Sequence, residues 1–422
     1  MRACYAALLL ILIAGCRQSQ PIPPTIDEPP LFEDVTDASG IRFTYRNGEE
    51  ANRLAILESL GGGVGVLDYD GDGKLDLFFP GGGYFDGDAI RGYPPKLYRN
   101  LGGCKFEDVT AAVGLDSAPF YSHGVAVADY DRDGWPDLLV TGWGRIALYH
   151  NVPDGKGGRR FVYVSIKAVL DKGIAWATSA GWADLDGDGW PDLYVCQYVN
   201  WSPANDPPCY YDGKLRDVCP PRNFHGLPHK LYRNQRDGTF RDVSQEAGLL
   251  PGGADRSKGL GVLLVDVNGD GKPDIYVAND TVDKFLYVNE STPGSIRLKE
   301  QGLHAGVARD GDGAANGSMG LDAADVDGSG KPWLWVTNYE NEMHGLYRNL
   351  TNGERILFDY ASTSTGIAAV GRKYVGWGTG FFDIDHHGYP DLFIAHGHAI
   401  RYPTGKASAR AQRPVLLRNE SG

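Results

Sequence analysis

A sixfold internal repeat constrains this chain more than anything else in its 422 residues. A short apolar run leads into an aspartate-rich loop, and a second apolar run follows. The loops read DYDGDGKLD from Asp68, DYDRDGWPD from Asp129, DLDGDGWPD from Asp184, DVNGDGKPD from Asp266, DVDGSGKPW from Asp325 and DIDHHGYPD from Asp383. Successive loops start 61, 55, 82, 59 and 58 residues apart, so the unit is close to 60 residues. Two further strand-like pieces complete each unit. One resembles LYRN, at residues 97–100, 148–151, 231–234, 286–289, 346–349 and 416–419. The other reads FxDV at 106–109 and 240–243, and more loosely at 161–164 and 357–360. Four short strands in a unit of this length are the signature of a propeller blade. Alternation such as Val64/Val66 and Val125/Val127 ahead of the loops gives a strand with one face in a core. A composition of 58 Gly, 25 Pro, 23 Tyr and 9 Trp suits many tight turns between strands. The expected fold is an all-β β-propeller of four-stranded blades, six of them carrying the motif, with seven blades as the alternative for a truncated chain. The last unit lacks a fourth strand, and residues 31–36 (LFEDVT) have that type, so they are expected to pair with the last blade and close the ring.

The loops carry the chemistry. Acids or amides stand at positions 1, 3 and 5, glycine at position 6, and in most loops an acid at position 9. Alternate positions point to one centre when the chain curls, and the glycine allows the sharp turn. Hard oxygen donors at this density suit Ca2+ over zinc or copper. Two carboxylates about 4 Å apart repel by roughly 4 kcal/mol at an effective dielectric near 20, which a divalent ion relieves. The candidate ligands are Asp68, Asp70, Asp72 and Asp76; Asp129, Asp131, Asp133 and Asp137; Asp184, Asp186, Asp188 and Asp192; Asp266, Asn268, Asp270 and Asp274. The position-7 carbonyls of Lys74, Trp135, Trp190 and Lys272 would add neutral oxygens. A fifth set, Asp383, Asp385 and Asp391, has His387 at position 5, while the Asp325 loop has Ser329 and Trp333 in place of acids and is expected to bind weakly or not at all. Four to five calcium sites follow. EF-hands are excluded, since position 12 holds Phe79, Val140, Val195 or Val277 instead of Glu.

At the N-terminus, Arg2 precedes the apolar run 8–13, too short to span a bilayer, and Ile13-Ala14-Gly15-Cys16 resembles a bacterial lipobox. Residues 1–16 are therefore expected to be a lipoprotein signal with acylation at Cys16, and residues 17–30 a Pro-rich tether. The propeller occupies 31–422, anchored by lipid at a cell surface or in a periplasm. In such a compartment Cys209 and Cys219, inside an insertion at about 200–228, read as a disulfide. A net charge of −13 excludes a nucleic-acid partner, which needs a basic face.

The D-x-D-x-D-G-x-x-D blades resemble FG-GAP/VCBS repeats, the units of integrin-α-like propellers. Stretches such as PPCYYDGKLRDVCPPRNF, LYRNQRDGTFRDVSQEAGL and GWGTGFFDIDHHGYPDLFIAHGH are similar to bacterial proteins of the cartilage-acidic-protein type, often carrying an ASPIC/UnbV domain. The resemblance spans about residues 31–419. It implies calcium in the loops and a role in recognition or adhesion, and no established reaction. The family usually continues into another Asp loop and the ASPIC/UnbV segment, whereas this sequence stops at Gly422.

No G-x-S-x-G, P-loop or H-E-x-x-H is present. The leading expectation is a calcium-stiffened module recognising a protein or glycan. The alternative is a polysaccharide hydrolase or lyase working in the central funnel, for which an acidic pair in that funnel, outside the calcium loops, would speak. If each calcium loop joins the first two strands of its blade, the loops after the second strands open on the other face. Their candidates for ligand contact are Trp143, Tyr198, Trp201, Asn279, Asp280, Asn338, Tyr339, His396 and His398, expected to be exposed and dispensable for stability.

Overall fold

The computed structural model describes residues 32–118, 120–211, 213–252, 256–353, 355–403 and 409–420. The signal, Cys16 and the tether of residues 17–30 lie outside them. Six antiparallel sheets follow one another along the chain. Their first and second strands are Gly65–Leu67 and Asp76–Phe79, Ser122–Ala128 and Asp137–Gly142, Ala177–Ala183 and Asp192–Gln197, Gly259–Val265 and Asp274–Asn279, Leu321–Ala324 and Trp333–Val336, and Gly376–Phe382 and Asp391–His396. First strands of neighbouring blades touch, and all six blades line an axial cavity of about 710 Å³. The molecule is a six-bladed β-propeller.

The apolar second strands follow from this arrangement. Each blade is sandwiched between two others, so Asp137–Gly142, Asp192–Gln197 and Asp274–Asn279 are buried along their whole length. The core lies between blades: Phe78 and Leu97 of blade 1 meet Leu138 and Val140 of blade 2, and Tyr194 and Leu231 of blade 3 meet Ile275 and Tyr287 of blade 4. Near the axis the backbones of neighbouring blades come too close for side chains. A Cβ on Gly124 would stand 2.7 Å from the carbonyl oxygen of Thr178 in the next blade.

The LYRN asparagine is the staple between blades. Asn151 Nδ2 donates to the Tyr69 carbonyl in the preceding blade's Asp loop (2.9 Å), and Asn234, Asn289, Asn349 and Asn419 repeat the bond to Tyr130, Leu185, Val267 and Val326. The turn after each fourth strand also docks on the next blade, as in Phe161 N–H to Val113 (2.8 Å) and Leu298 N–H to Ala247 (2.7 Å).

One expectation needs correction. Ring closure by residues 31–36 is not formed: Leu31 lies outside the described residues, 32–35 are in no strand, and the last sheet keeps three strands. The following helix Thr36–Ser39 instead sits against blade 1, where Lys105 Nζ donates to the Ala38 carbonyl (2.5 Å) and Gly40 abuts the Phe106 carbonyl. That is the docking of a fourth-strand turn without the strand pairing itself. Blade 4 has its expected fourth strand, Leu298–Glu300, without the FxDV pattern.

Candidate functional site

All six Asp loops join first to second strands and so share one face. In each four-acid loop the carboxylates divide their labour. Position 1 shapes the turn: Asp68 accepts from the N–H groups of Gly71 (2.9 Å), Asp72 (3.1 Å) and Gly73 (2.9 Å). Position 9 is buried and ties the blade together. Asp192 accepts from Leu185 N–H (3.1 Å) at one oxygen and Asn234 N–H (2.9 Å) at the other, and Asp76, Asp137, Asp274 and Asp391 do the same in their blades. Position 3 is left over. One carboxylate oxygen of Asp70, Asp131 and Asp186 is buried without a hydrogen-bond partner. A buried orphan acceptor is costly, and a cation at the loop centre would satisfy it.

Oxygens of Asp68, Asp70 and Asp76 lie within 4.8 Å of one another, as do those of Asp129, Asp131 and Asp137 and of Asp184, Asp186 and Asp192. The Asp383 loop brings Asp383, Asp385, His387 and Asp391 together in the same way. These clusters could hold a metal ion. Position 5 pairs with cations instead: Asp72 with Lys74 (2.8 Å), and the buried Asp188 side chain with Arg233 (2.9 Å) and Arg236 (2.7 Å). Burial, with help from neighbouring carboxylates, pushes the position-9 acids up, Asp137 to about 8, Asp192 to about 7 and Asp274 to about 6.

On the opposite face the sequence reading needs its largest correction. Residues 46–60, the insertion after Gln197 with its hairpin Cys209–Tyr211 and Leu215–Asp217, and residues 397–403 cover that face as a cap. Ile56, Leu57, Leu60, Tyr121, Trp176, Tyr198, Val199, Trp201, Val218 and Phe224 form a hydrophobic cluster beneath it. Cys209 and Cys219 form the expected disulfide. Arg401 pairs with the buried Glu58, and the Asp217 carboxylate accepts from the N–H groups of Arg401 (3.1 Å) and Tyr402 (2.7 Å).

Several expected contact residues are therefore structural. Trp201 is buried against Trp143 and Trp176. Asn279 accepts from Lys258 N–H and donates to the Asp283 carbonyl, and Asn338 binds the Met343 carbonyl and the Ser318 hydroxyl. His398 is buried against Tyr339, and His396 stacks on His344. Trp201, Asn279, Asn338 and His398 are buried and serve their own surroundings, while His396 stays half-buried.

Tyr198, Asp280 and Tyr339 do converge. They line a cavity of about 280 Å³ with Glu342, Trp377 and Arg222. Tyr198 Oη donates to Asp280 Oδ2 at 2.5 Å, and burial pushes Asp280 up to about 6. Glu342, also raised by burial, accepts from Gly317 N–H (2.8 Å). A Cβ on Gly317 would lie 3.1 Å from an Asp280 oxygen and 3.6 Å from a Glu342 oxygen, so the glycine leaves the two carboxylates facing a shared gap. Sequence reasoning missed Glu342; its one signal was its place in the loop after the second strand of blade 5, three residues beyond Tyr339.

The description FG-GAP-like repeat matches residues 68–140, 129–195 and 228–277, the loops and second strands of blades 1 to 4. Over those residues the chain carries FG-GAP-like repeats, and together with the six-bladed ring they support an integrin-like propeller. Among curated proteins, the propeller is 24% identical to cartilage acidic protein 1 of Mus musculus over 366 residues, 83% of this chain and 50% of that protein. It is 28% identical to integrin alpha-7 of Rattus norvegicus over 147 residues, 33% of this chain and 13% of the integrin. The chain thus spans about half the length of the cartilage acidic protein it matches. Among solved structures, an Agrocybe aegerita lectin described as recognising non-reducing terminal N-acetylglucosamine has a TM-score of 0.43 at 15% identity, covering 85% of this chain and 80% of its own. Among the described residues no helix is long and apolar enough to cross a membrane.

Proposed function

We propose that this propeller is a calcium-binding, lipid-anchored recognition scaffold that takes a protein or glycan ligand at a cell surface or in a periplasm. The observation that carries the reading is the capped cavity, where aromatic rings and two carboxylates from four different blades meet on the face opposite the acidic loops. Aromatic walls with a few convergent polar groups are what ligand sites use. Calcium is supported by the orphaned position-3 oxygens, and the lipid anchor by the lipobox ending at Cys16. The test is a glycan and protein array probed with the soluble body and with Tyr339→Ala. Loss of the array signal at an unchanged melting temperature is expected; equal binding by the variant would remove the cavity as the site.

A second reading has one specific observation in its favour. Asp280 and Glu342 are an acidic pair outside the Asp loops, in the capped cavity and not the axial one, and paired acids are what a hydrolase or lyase acting on polysaccharide would use. Reducing-end release from acidic and neutral polysaccharides, abolished by Asp280→Asn, would establish it over pure binding.

A further inference from the structure

The six loops share one turn, in which the position-6 N–H donates to the position-1 carboxylate, yet the fold lays different amounts of positive charge on them. The difference comes from one position, the residue before the third-strand asparagine: Arg99, His150, Arg233, Val288, Arg348 and Arg418 in blades 1 to 6. The third strand runs beside the loop of its own blade, so this side chain reaches the carboxylates at positions 3 and 5. Arg99 Nε stands 2.7 Å from Asp70 and its Nη2 3.3 Å from Asp72. Arg348 is 3.2 Å from Asp327 and Arg418 2.6 Å from Asp385, while His150 is 3.1 Å from Asp131. Blade 3 is the extreme. Arg233 grips Asp186 (2.6 Å) and Asp188 (2.9 Å), Arg236 adds a second contact to Asp188 (2.7 Å), and the two aspartate side chains are left 0% and 3% exposed.

Blade 4 is the exception. Val288 carries no charge, Lys272 turns its ammonium away to the Ser291 carbonyl (2.8 Å), and among the described residues no cationic side chain pairs with Asp266, Asp270 or Asp274. A fixed positive charge about 5 Å from an entering divalent cation lowers its affinity by at least an order of magnitude at an effective dielectric near 20.

We propose, resting on the calcium reading above, that the residue before the third-strand asparagine sets the calcium affinity of each loop. Arginine there is a built-in counter-ion that calcium must displace. The blade 4 loop is then the tightest site although Asn268 replaces one of its acids, and the blade 3 loop is weak although it has all four aspartates. Ligand count alone ranks them the other way.

The test is calorimetric titration of Ca2+ into the chelator-stripped full chain. The tightest step should disappear in Asp266→Ala, weaken tenfold or more in Val288→Arg, and persist in Asp184→Ala. Arg233→Val should add one equivalent to the tight step. Because Val288 is buried, the arginine variant keeps the test independent of any folding defect in Val288→Arg. A tight step that survives both Asp266→Ala and Val288→Arg, or weaker binding in Arg233→Val, overturns the ranking while leaving calcium in place. A wild-type chain that takes up no calcium overturns the calcium reading itself.

Discussion

At the scale of single residues, the position-9 aspartates and the buried histidines hold the blades. Asp192 satisfies two backbone N–H groups, one in its own loop and one on the third strand of its blade. Asp192→Ala leaves both buried and unpaired, which should cost about 2–4 kcal/mol. Urea unfolding in the presence of chelator measures that loss apart from any calcium effect. Burial holds His123, His229 and His344 down at about 3, so all three are neutral in the folded state. Their unfolded pKa lies near 6.5. The unfolded chain therefore takes up protons first as pH falls, and the contribution of each histidine, complete above about 6.5, is lost progressively toward 3. The buried aspartates with raised pKa act in the opposite direction, so the effect is best read as a difference. The stability gap between wild type and His229→Gln should narrow below pH 6.5 by about 1.4 kcal/mol per pH unit. A gap independent of pH would show that His229 is not held neutral.

At the scale of elements, the cap decides what the loop face can do. Its parts come from three distant stretches, joined by the Arg401–Glu58 pair, the Asp217 carboxylate and the Cys209–Cys219 disulfide. A ten-residue ring closed by a disulfide contributes on the order of 2–3 kcal/mol, felt locally. Cys219→Ser should therefore speed amide hydrogen exchange in residues 209–222 and in the neighbouring 53–60. The second strands of the blades should keep their protection, since their hydrogen bonds lie in sheets the cap only covers. Uniform loss of protection would mean that the cap and the ring unfold as one unit.

At the scale of the whole molecule, the ring is stitched unevenly. Five junctions carry the asparagine staple, but Asn100 spends its Nδ2 on the Leu75 carbonyl of its own blade, and the sheet that faces it has three strands. The acidic loops add charge strain on one rim, which bound calcium would relieve. On the calcium reading, each site at tenfold saturation adds about 1.4 kcal/mol, so four add about 5–6 kcal/mol, comparable with the net stability of a domain. Chelator should lower the melting temperature sharply, as differential scanning calorimetry would record. An unchanged transition would end the structural role given to these loops.

The sequence by itself determined the repeat with its six motif-bearing units, the face on which the acidic loops lie and the pairing of Cys209 with Cys219, and left six or seven blades open. All of these depend on neighbours within one unit, where strand alternation, turn glycines and short spacing act locally. Only the tertiary structure decided which side chains of the opposite face meet water. Trp201 and Asn279 look like contact residues in a linear reading, and the cap and their own loops consume them. The meeting of Asp280 with Glu342, and of each third-strand arginine with its loop, was equally hidden. Residues far apart in the chain become neighbours through blade order and strand pairing, and no local pattern records which charge will face which.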